Sequence, residues 1–185
     1  LAELDALSFR LKDGRDGVLR SARPADAATT LELYRAVVNE GAYTLFEPDE
    51  LKRDQEQEEH NIRNEQTAPN RLRLVAEIDG EVVGMARVSG GELARTAHFG
   101  EVDSVWVQQD CRGQGIGRSL MQTLETWARQ DGKLEKLGLY VFSTNERAVS
   151  LYTSLGYVIE GRCPKDIKFG ENQYADTLVM GKLLS

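Results

Sequence analysis

Apolar and polar residues alternate with a period of two over Leu72 to Ile78 and again over Val82 to Val88, and Asp79-Gly80 stands between the two runs. That pattern predicts two antiparallel strands joined by a type I′ turn. Similar short runs at Phe9 to Lys12 and Val18 to Ala22, around the turn-rich Asp13-Gly14-Arg15-Asp16-Gly17, predict an edge hairpin. Helical spacing replaces alternation after Pro24, where Ala28, Leu31, Leu33, Tyr34, Val37 and Val38 fall on one side until Gly41. Gly41 to Pro48 reads as an aromatic loop. Asp49 to Glu65 is polar and mostly acidic without Gly or Pro, which predicts an exposed helix with a thin apolar stripe through Leu51 and Ile62. After Gly90-Gly91, alternation returns over Ala97 to Val107. A helix from about Gly115 to Gly132 then carries Ile116, Leu120, Met121, Leu124, Trp127 and Ala128 on one face. Leu137 to Phe142 reads as a buried strand. Ser143 or Thr144 can cap a helix over Asn145 to Leu155, with Gly156 as its stop. Tyr157 to Glu160 and Tyr174 to Leu183 complete the strands, with a turn at Gly170-Glu171-Asn172. The sum is an α+β fold, a mixed and mostly antiparallel sheet flanked by helices.

The 185 residues suit one domain across 1–185, with residues 1–17 as an N-terminal extension or hairpin. A hydrophobic content of 41% with 29% charged residues is enough to build a core. Acidic residues outnumber basic ones 30 to 23, a net charge of −7, which argues against non-specific nucleic-acid binding. No apolar run approaches the roughly 20 residues that span a bilayer. Glu3 and Asp5 interrupt the first residues, so they lack the pattern of a secretory signal. Cys111 and Cys163 are too few for a disulfide scaffold and lack zinc-site spacing, so no metal and a cytoplasmic location are expected.

The segment Arg112-Gly113-Gln114-Gly115-Ile116-Gly117-Arg118 lies between a strand and an amphipathic helix. Glycines there permit positive φ and leave backbone N–H groups uncovered, so the bend can wrap a phosphate or diphosphate. It is neither a Walker loop nor a dinucleotide fingerprint, because the Gly-Lys-Ser/Thr ending is absent and Arg118 stands at the third glycine position. Taken alone, the glycines are equally those of a tight strand-to-helix turn.

Arg112 to Gly117 resembles the Arg/Gln-x-x-Gly-x-Gly/Ala signature of the GNAT superfamily of N-acetyltransferases. Downstream, Asn145, Ala148, Leu151 and Tyr152, followed by Gly156-Tyr157, resemble the family's Asn-x-x-Ala-x-x-Leu-Tyr segment and its Gly-Phe/Tyr ending. The resemblance runs from about residue 18 to the C-terminus and is strongest over 99–160. It implies that acetyl-CoA, as cosubstrate, lies in a splay between two parallel strands, Glu101 to Val107 and Leu137 to Phe142. Backbone groups of Val105 and Val107, on either side of Trp106, would pair with pantetheine like an added strand. Amides from Arg112 through Gly113, Gln114, Gly115, Ile116 and Gly117 to Arg118 would hold the diphosphate, and Asn145 would orient the pantetheine arm. Trp106 should point to the face opposite Val105 and Val107 and join the core.

Acetylating an amine requires a neutral nucleophile, and deprotonating an ammonium of pKa near 10.4 at pH 7 costs roughly 4–5 kcal/mol. Glu101, eleven residues before Arg112, matches the position of the base in histone-acetylating members of the family. Asp103 shares its strand face and is the second candidate. Either acid is equally a strand residue or an ion-pair partner. By the same likeness the Val105 N–H would bind the oxyanion and Tyr152 would protonate the leaving CoA sulfur. Cys111 belongs to no nucleophile motif with His60 or His98, and direct transfer needs no thiol.

The acceptor is expected to be a primary amine: a small molecule, an amino acid or a protein N-terminus. Tyr43, Phe46, Tyr174 and the acids Glu56, Glu58 and Glu59 are candidates for its wall, or else a solvated helix and scattered core aromatics. A CoA-binding sensor without chemistry and a plain phosphate-binding protein are the alternatives. An exposed edge strand leaves room for a homodimer.

Overall fold

The computed structural model describes residues 4–130 and 134–184. Its eight strands are β1 (Leu7–Arg10), β2 (Asp16–Ser21), β3 (Arg71–Ile78), β4 (Glu81–Gly90), β5 (Phe99–Val107), β6 (Lys136–Phe142), β7 (Val158–Gly170) and β8 (Gln173–Leu183). They form one sheet in the order β1-β2-β3-β4-β5-β6-β8-β7. Only the β5–β6 pair is parallel, so the expected mixed and mostly antiparallel sheet is present. The helices are α1 (Ala27–Asn39), α2 (Gln55–Thr67), α3 (Ile116–Gln130) and α4 (Glu146–Ser154). No helix among the described residues is long and apolar enough to cross a membrane.

The helices divide between the two faces, and each face has its own core. α3 and α4 cover the larger one, in which Ile116, Leu120, Met121 and Leu124 meet Leu74, Val88, Val102, Leu137, Leu139 and Met180. Every apolar position expected for α3 is buried. The smaller core, on the side of α1 and α2, gathers Ala27, Leu33, Ile62, Val75 and Met85.

The differences from the sequence reading are local. The acidic stretch becomes helical only at Gln55, because Asp54 accepts from the Gln57 N–H and the Gln57 side chain returns a bond to Asp54, closing the first turn there. β5 starts at Phe99 rather than Ala97. The glycine expected to close α3, Gly132, lies outside the described residues. β7 extends to Gly170 instead of stopping at Glu160, since it is an exposed edge strand paired to β8 through three register shifts. Such an edge needs no apolar alternation, and it tolerates Pro164 where an interior strand would not.

Candidate functional site

β5 and β6 pair only at Phe99 with Lys136, Gly100 with Leu137 and Glu101 with Gly138. Beyond that, β5 follows β4 as far as Val107 while β6 follows β8 as far as Phe142, so the two parallel strands part. β5 also carries a bulge. Met85 faces Trp106 and Arg87 faces Asp103, which leaves Ser104 and Val105 together opposite Ala86, with Ser104 at φ 55°. One extra residue turns every following side chain to the other face. Val102 lies in the larger core and Val105 and Val107 pack against that same core, whereas Trp106 packs against the smaller one. Trp106 therefore faces away from Val105 and Val107, as expected. Its ring is stacked on Tyr34 at 4.2 Å and 6°. Its side chain meets Tyr34 and the smaller core, leaving its backbone as the part that lies along the opening.

The loop after β5 is braced from several directions. Gly113 and Gly115 have φ of 86° and 95°, and a Cβ at either would meet nothing within 4 Å. Their requirement is conformational rather than one of space. Among the described residues, no protein acceptor takes the backbone N–H groups of Gly113 through Arg118. Three of these are the open first-turn donors of α3, which adds the positive end of its dipole. The Arg112 N–H, by contrast, donates to the Gln109 carbonyl at 3.2 Å. Gln114 is fastened to the N-terminal hairpin: its carbonyl accepts from the Lys12 N–H at 3.2 Å and its Oε1 from the Asp13 N–H at 3.1 Å. Ile116 is in the core, and Gly117 comes within 3.4 Å of Leu151 on α4 if given a Cβ. Arg118 donates to the Ser154 hydroxyl at 2.6 Å.

Asn145 caps α4, its Oδ1 accepting from the Ala148 N–H at 3.2 Å. That bond uses the oxygen and leaves the amide NH₂ for another acceptor. Tyr152 is 8% exposed on α4, with its ring 5.9 Å from that of Tyr157. Burial pushes its phenol up to about 12, so near neutral pH it stays protonated and keeps an O–H to donate.

The two candidate bases differ in their surroundings. Asp103 is held by Arg87 at 2.7 Å. Arg87 continues to Glu65 at 3.1 Å, Glu65 to Arg73 at 2.6 Å, Arg73 to Glu58, and Glu58 to Arg53 at 3.0 Å. Glu101 has no ion-pair partner among the described residues. Partial burial raises its pKa, the like charge of Asp103 raises it further, and Arg87 pulls it back. The sequence reading saw two acids on one face. The structure pairs Asp103 with an arginine and leaves Glu101 without an ion-pair partner among the described residues.

On the acceptor side, Phe46 stands edge-on to Tyr34 at 5.9 Å and the Arg53 guanidinium lies over the same ring at 5.9 Å. Tyr43 is exposed, its hydroxyl 3.5 Å from the Thr144 carbonyl. Glu58 turns inward to Arg73 and Arg53, so it is no part of an acceptor wall, while Glu56 stays at the surface. Tyr174 lies on β8 with Lys165 over its ring at 5.5 Å. His60 and His98 are exposed and neither is hydrogen-bonded to Cys111. Sequence reasoning placed Tyr34 on an apolar helix face and a turn from Asp13 but tied neither to the site, and it missed Arg87 and Glu40. Nothing local marks these connections, because each is made with a partner from a distant segment.

The sheet opens between two parallel strands, and a row of amide donors at the head of a helix stands beside the opening, an arrangement that can receive an extended ligand carrying an anionic group. The acetyltransferase (GNAT) family matches residues 39–157, and the chain belongs to that family. It is 28% identical over 172 residues to an N-alpha-acetyltransferase of Sulfurisphaera tokodaii, covering 89% of this chain and 90% of that protein. The solved structure of a GNAT acetyltransferase from Streptococcus pneumoniae superposes with a TM-score of 0.85 at 28% identity, covering 90% of this chain and 99% of that one. The structure of yncA from Salmonella typhimurium with its cofactor acetyl-CoA gives 0.80 at 25% identity, over 90% and 93% of the two chains. The protein is thus an N-acetyltransferase.

Proposed function

We propose that this chain uses acetyl-CoA as its acyl donor and transfers the acetyl group to a primary amine by direct attack. The observation that carries the reading is the run of acceptor-free amides from Gly113 to Arg118 beside the parting of β5 and β6. These donors suit a diphosphate, which needs several hydrogen bonds and gains from the helix dipole. The edge of β5 at Val105 and Val107, where the Val107 carbonyl also accepts from Arg112 Nε, suits the amides of pantetheine, and the Asn145 NH₂ suits one of its carbonyls. With the thioester in the opening, Glu101 takes the proton of the attacking amine, directly or through water. The nitrogen lone pair forms the new C–N bond, and the Val105 N–H receives the charge that develops on the carbonyl oxygen. The C–S bond then breaks, and the Tyr152 hydroxyl gives its proton to the departing thiolate. The proton that Glu101 takes from the ammonium passes to solvent as the net proton released, and the second proton, lost from nitrogen as the amide forms, restores the phenol through solvent.

Asp103 serves better as the partner of Arg87 than as the base, since a proton on it would break a 2.7 Å ion pair. The N-terminal segment belongs to the catalytic unit, because the turn at Lys12 and Asp13 holds Gln114. The free thiols Cys111 and Cys163 suit a reducing compartment, and we place the reaction in the cytoplasm. Among amines, an α-amine is favoured by the likeness to the Sulfurisphaera protein. The test is thiol release from acetyl-CoA across a panel of amino acids, small amines and peptides, with CoA binding measured by calorimetry. Turnover with at least one amine is expected. Tight CoA binding without turnover on any of them would favour the sensor, and binding of diphosphate in preference to CoA would remove the coenzyme altogether.

A further inference from the structure

Arg112 belongs to the coenzyme loop through its backbone, but its side chain is fully engaged within the protein. Nε donates to the Val107 carbonyl at 2.8 Å, and the two terminal nitrogens meet the two carboxylate oxygens of Glu40 at 2.7 and 2.6 Å. One guanidinium thus joins the end of β5, the start of the loop and the residue after α1, which is 72 positions away. The bidentate geometry fixes orientation as well as distance. It matters here because nothing packs against the inner glycines. With Gly113 and Gly115 in open space, the direction of the loop amides is set by its anchors, which are Arg112 on one side and Gln114 on the other.

We propose that Glu40 is a positioning residue for the coenzyme loop, and that its pair with Arg112 couples coenzyme binding to the aromatic segment 41–48. Glu40 is followed at once by Gly41, at φ 65°, and then by that segment. Tyr43 reaches the Thr144 carbonyl, next to the Asn145 cap and on the β6 side of the opening. Phe46 meets Tyr34, which stacks on Trp106 of β5. The stretch from Glu40 to Phe46 therefore meets the loop through Arg112 and the β6 side through Thr144, and reaches β5 by way of Tyr34. A ligand that orders the loop orders this stretch through Glu40, and by linkage anything that orders the stretch tightens the hold on the ligand. The inference rests on the reading that the loop holds the diphosphate of CoA.

The experiment combines calorimetric CoA binding with hydrogen exchange for wild type, Glu40→Gln, Arg112→Gln, their double variant and Glu40→Asp. Glu40→Gln is expected to weaken CoA about 5- to 10-fold. The double variant should be no weaker than Arg112→Gln alone, because both remove one interaction. Glu40→Asp keeps the charge and should recover part of the loss. CoA should slow exchange over 41–48 in wild type but not in Glu40→Gln. Glu40 lies at the surface, and circular dichroism checks that each variant folds. Wild-type affinity in Glu40→Gln, multiplicative losses in the double variant, or protection of 41–48 that survives Glu40→Gln would each overturn the coupling. If the wild type does not bind CoA, the coenzyme reading falls first and this inference with it. CoA binding with an unaltered Glu40→Gln defeats the coupling alone.

Discussion

On the side of the sheet that carries α3 and α4, the contacts between helix and strand are mostly apolar: Leu120, Met121 and Leu124 are shielded from solvent against Leu137, Leu139 and Met180, and one ion pair, Glu125 of α3 with Lys182 of β8 at 2.6 Å, stands at the margin. On the side of α2, three of the groups buried between helix and sheet are Glu58, Glu65 and Arg73. The first arrangement tolerates exchange of one apolar residue for another of similar volume, since area and packing supply the stability. The second works only while every charge keeps its partner, because an unpaired buried ion costs several kcal/mol. The proposed coenzyme site thus rests on a largely apolar scaffold that presents backbone amides. The side proposed to receive the acceptor is built on a chain of ion pairs ending at Asp103, whose charge reaches Glu101.

The sharpest way to break this contrast is Arg73→Ala. It removes the partner that Glu58 and Glu65 share, leaving Glu58 with Arg53 alone and Glu65 with Arg87 alone, and should lower stability by about 3 kcal/mol, read as a drop in the denaturant midpoint. A loss below about 1 kcal/mol would mean that this chain of ion pairs is not what joins α2 to the sheet. Next comes Tyr152→Phe on the apolar side, which should reduce turnover at least about 100-fold, or roughly 2.7 kcal/mol of barrier, and leave CoA affinity within about twofold. Because the phenol stays protonated up to about 12, it should not supply the basic limb of the pH profile. Unchanged turnover in single-turnover measurements would remove its role as the acid.

A smaller effect is expected from Gly115→Ala. Forcing an L side chain into φ 95° costs about 1–2 kcal/mol, so CoA should bind about tenfold more weakly in calorimetry while the fold survives. The smallest is a shift along the pH axis. Glu101 must be ionised to accept a proton, so activity rises as pH passes upward through its raised pKa. Burial is the first cause of that elevation and Asp103 the second. Asp103→Asn removes the like charge and releases Arg87, and both changes favour the carboxylate. The acid limb of kcat should therefore move to lower pH. A limb that stays in place would dismiss Glu101 as the base.

How far the residues could be read in advance follows the same division. The hairpin around Asp79-Gly80, the buried face of α3, the cap at Asn145 and the glycines of the loop each rest on a local rule, whether a period, a turn geometry or a φ requirement. β7 was cut short because an exposed edge strand has no apolar rhythm to betray it. The bulge at Ser104 was hidden too, since the alternation through Val107 reads smoothly until a partner strand shows that two residues oppose one. Glu58 shows the difficulty for charges. On α2 it looks like any solvated acid of a polar helix, and only the approach of Arg73 turns it inward.

By itself the chain determined its elements, the anion-binding bend and the family resemblance, because these depend on steric preferences and spacing among near neighbours. The tertiary structure alone decided which acid is free and which is held, that β5 bulges at Ser104, and that Glu40 grips Arg112. Those outcomes are set by pairings between segments brought together by the sheet order, and a one-dimensional pattern carries no record of which charge will meet which.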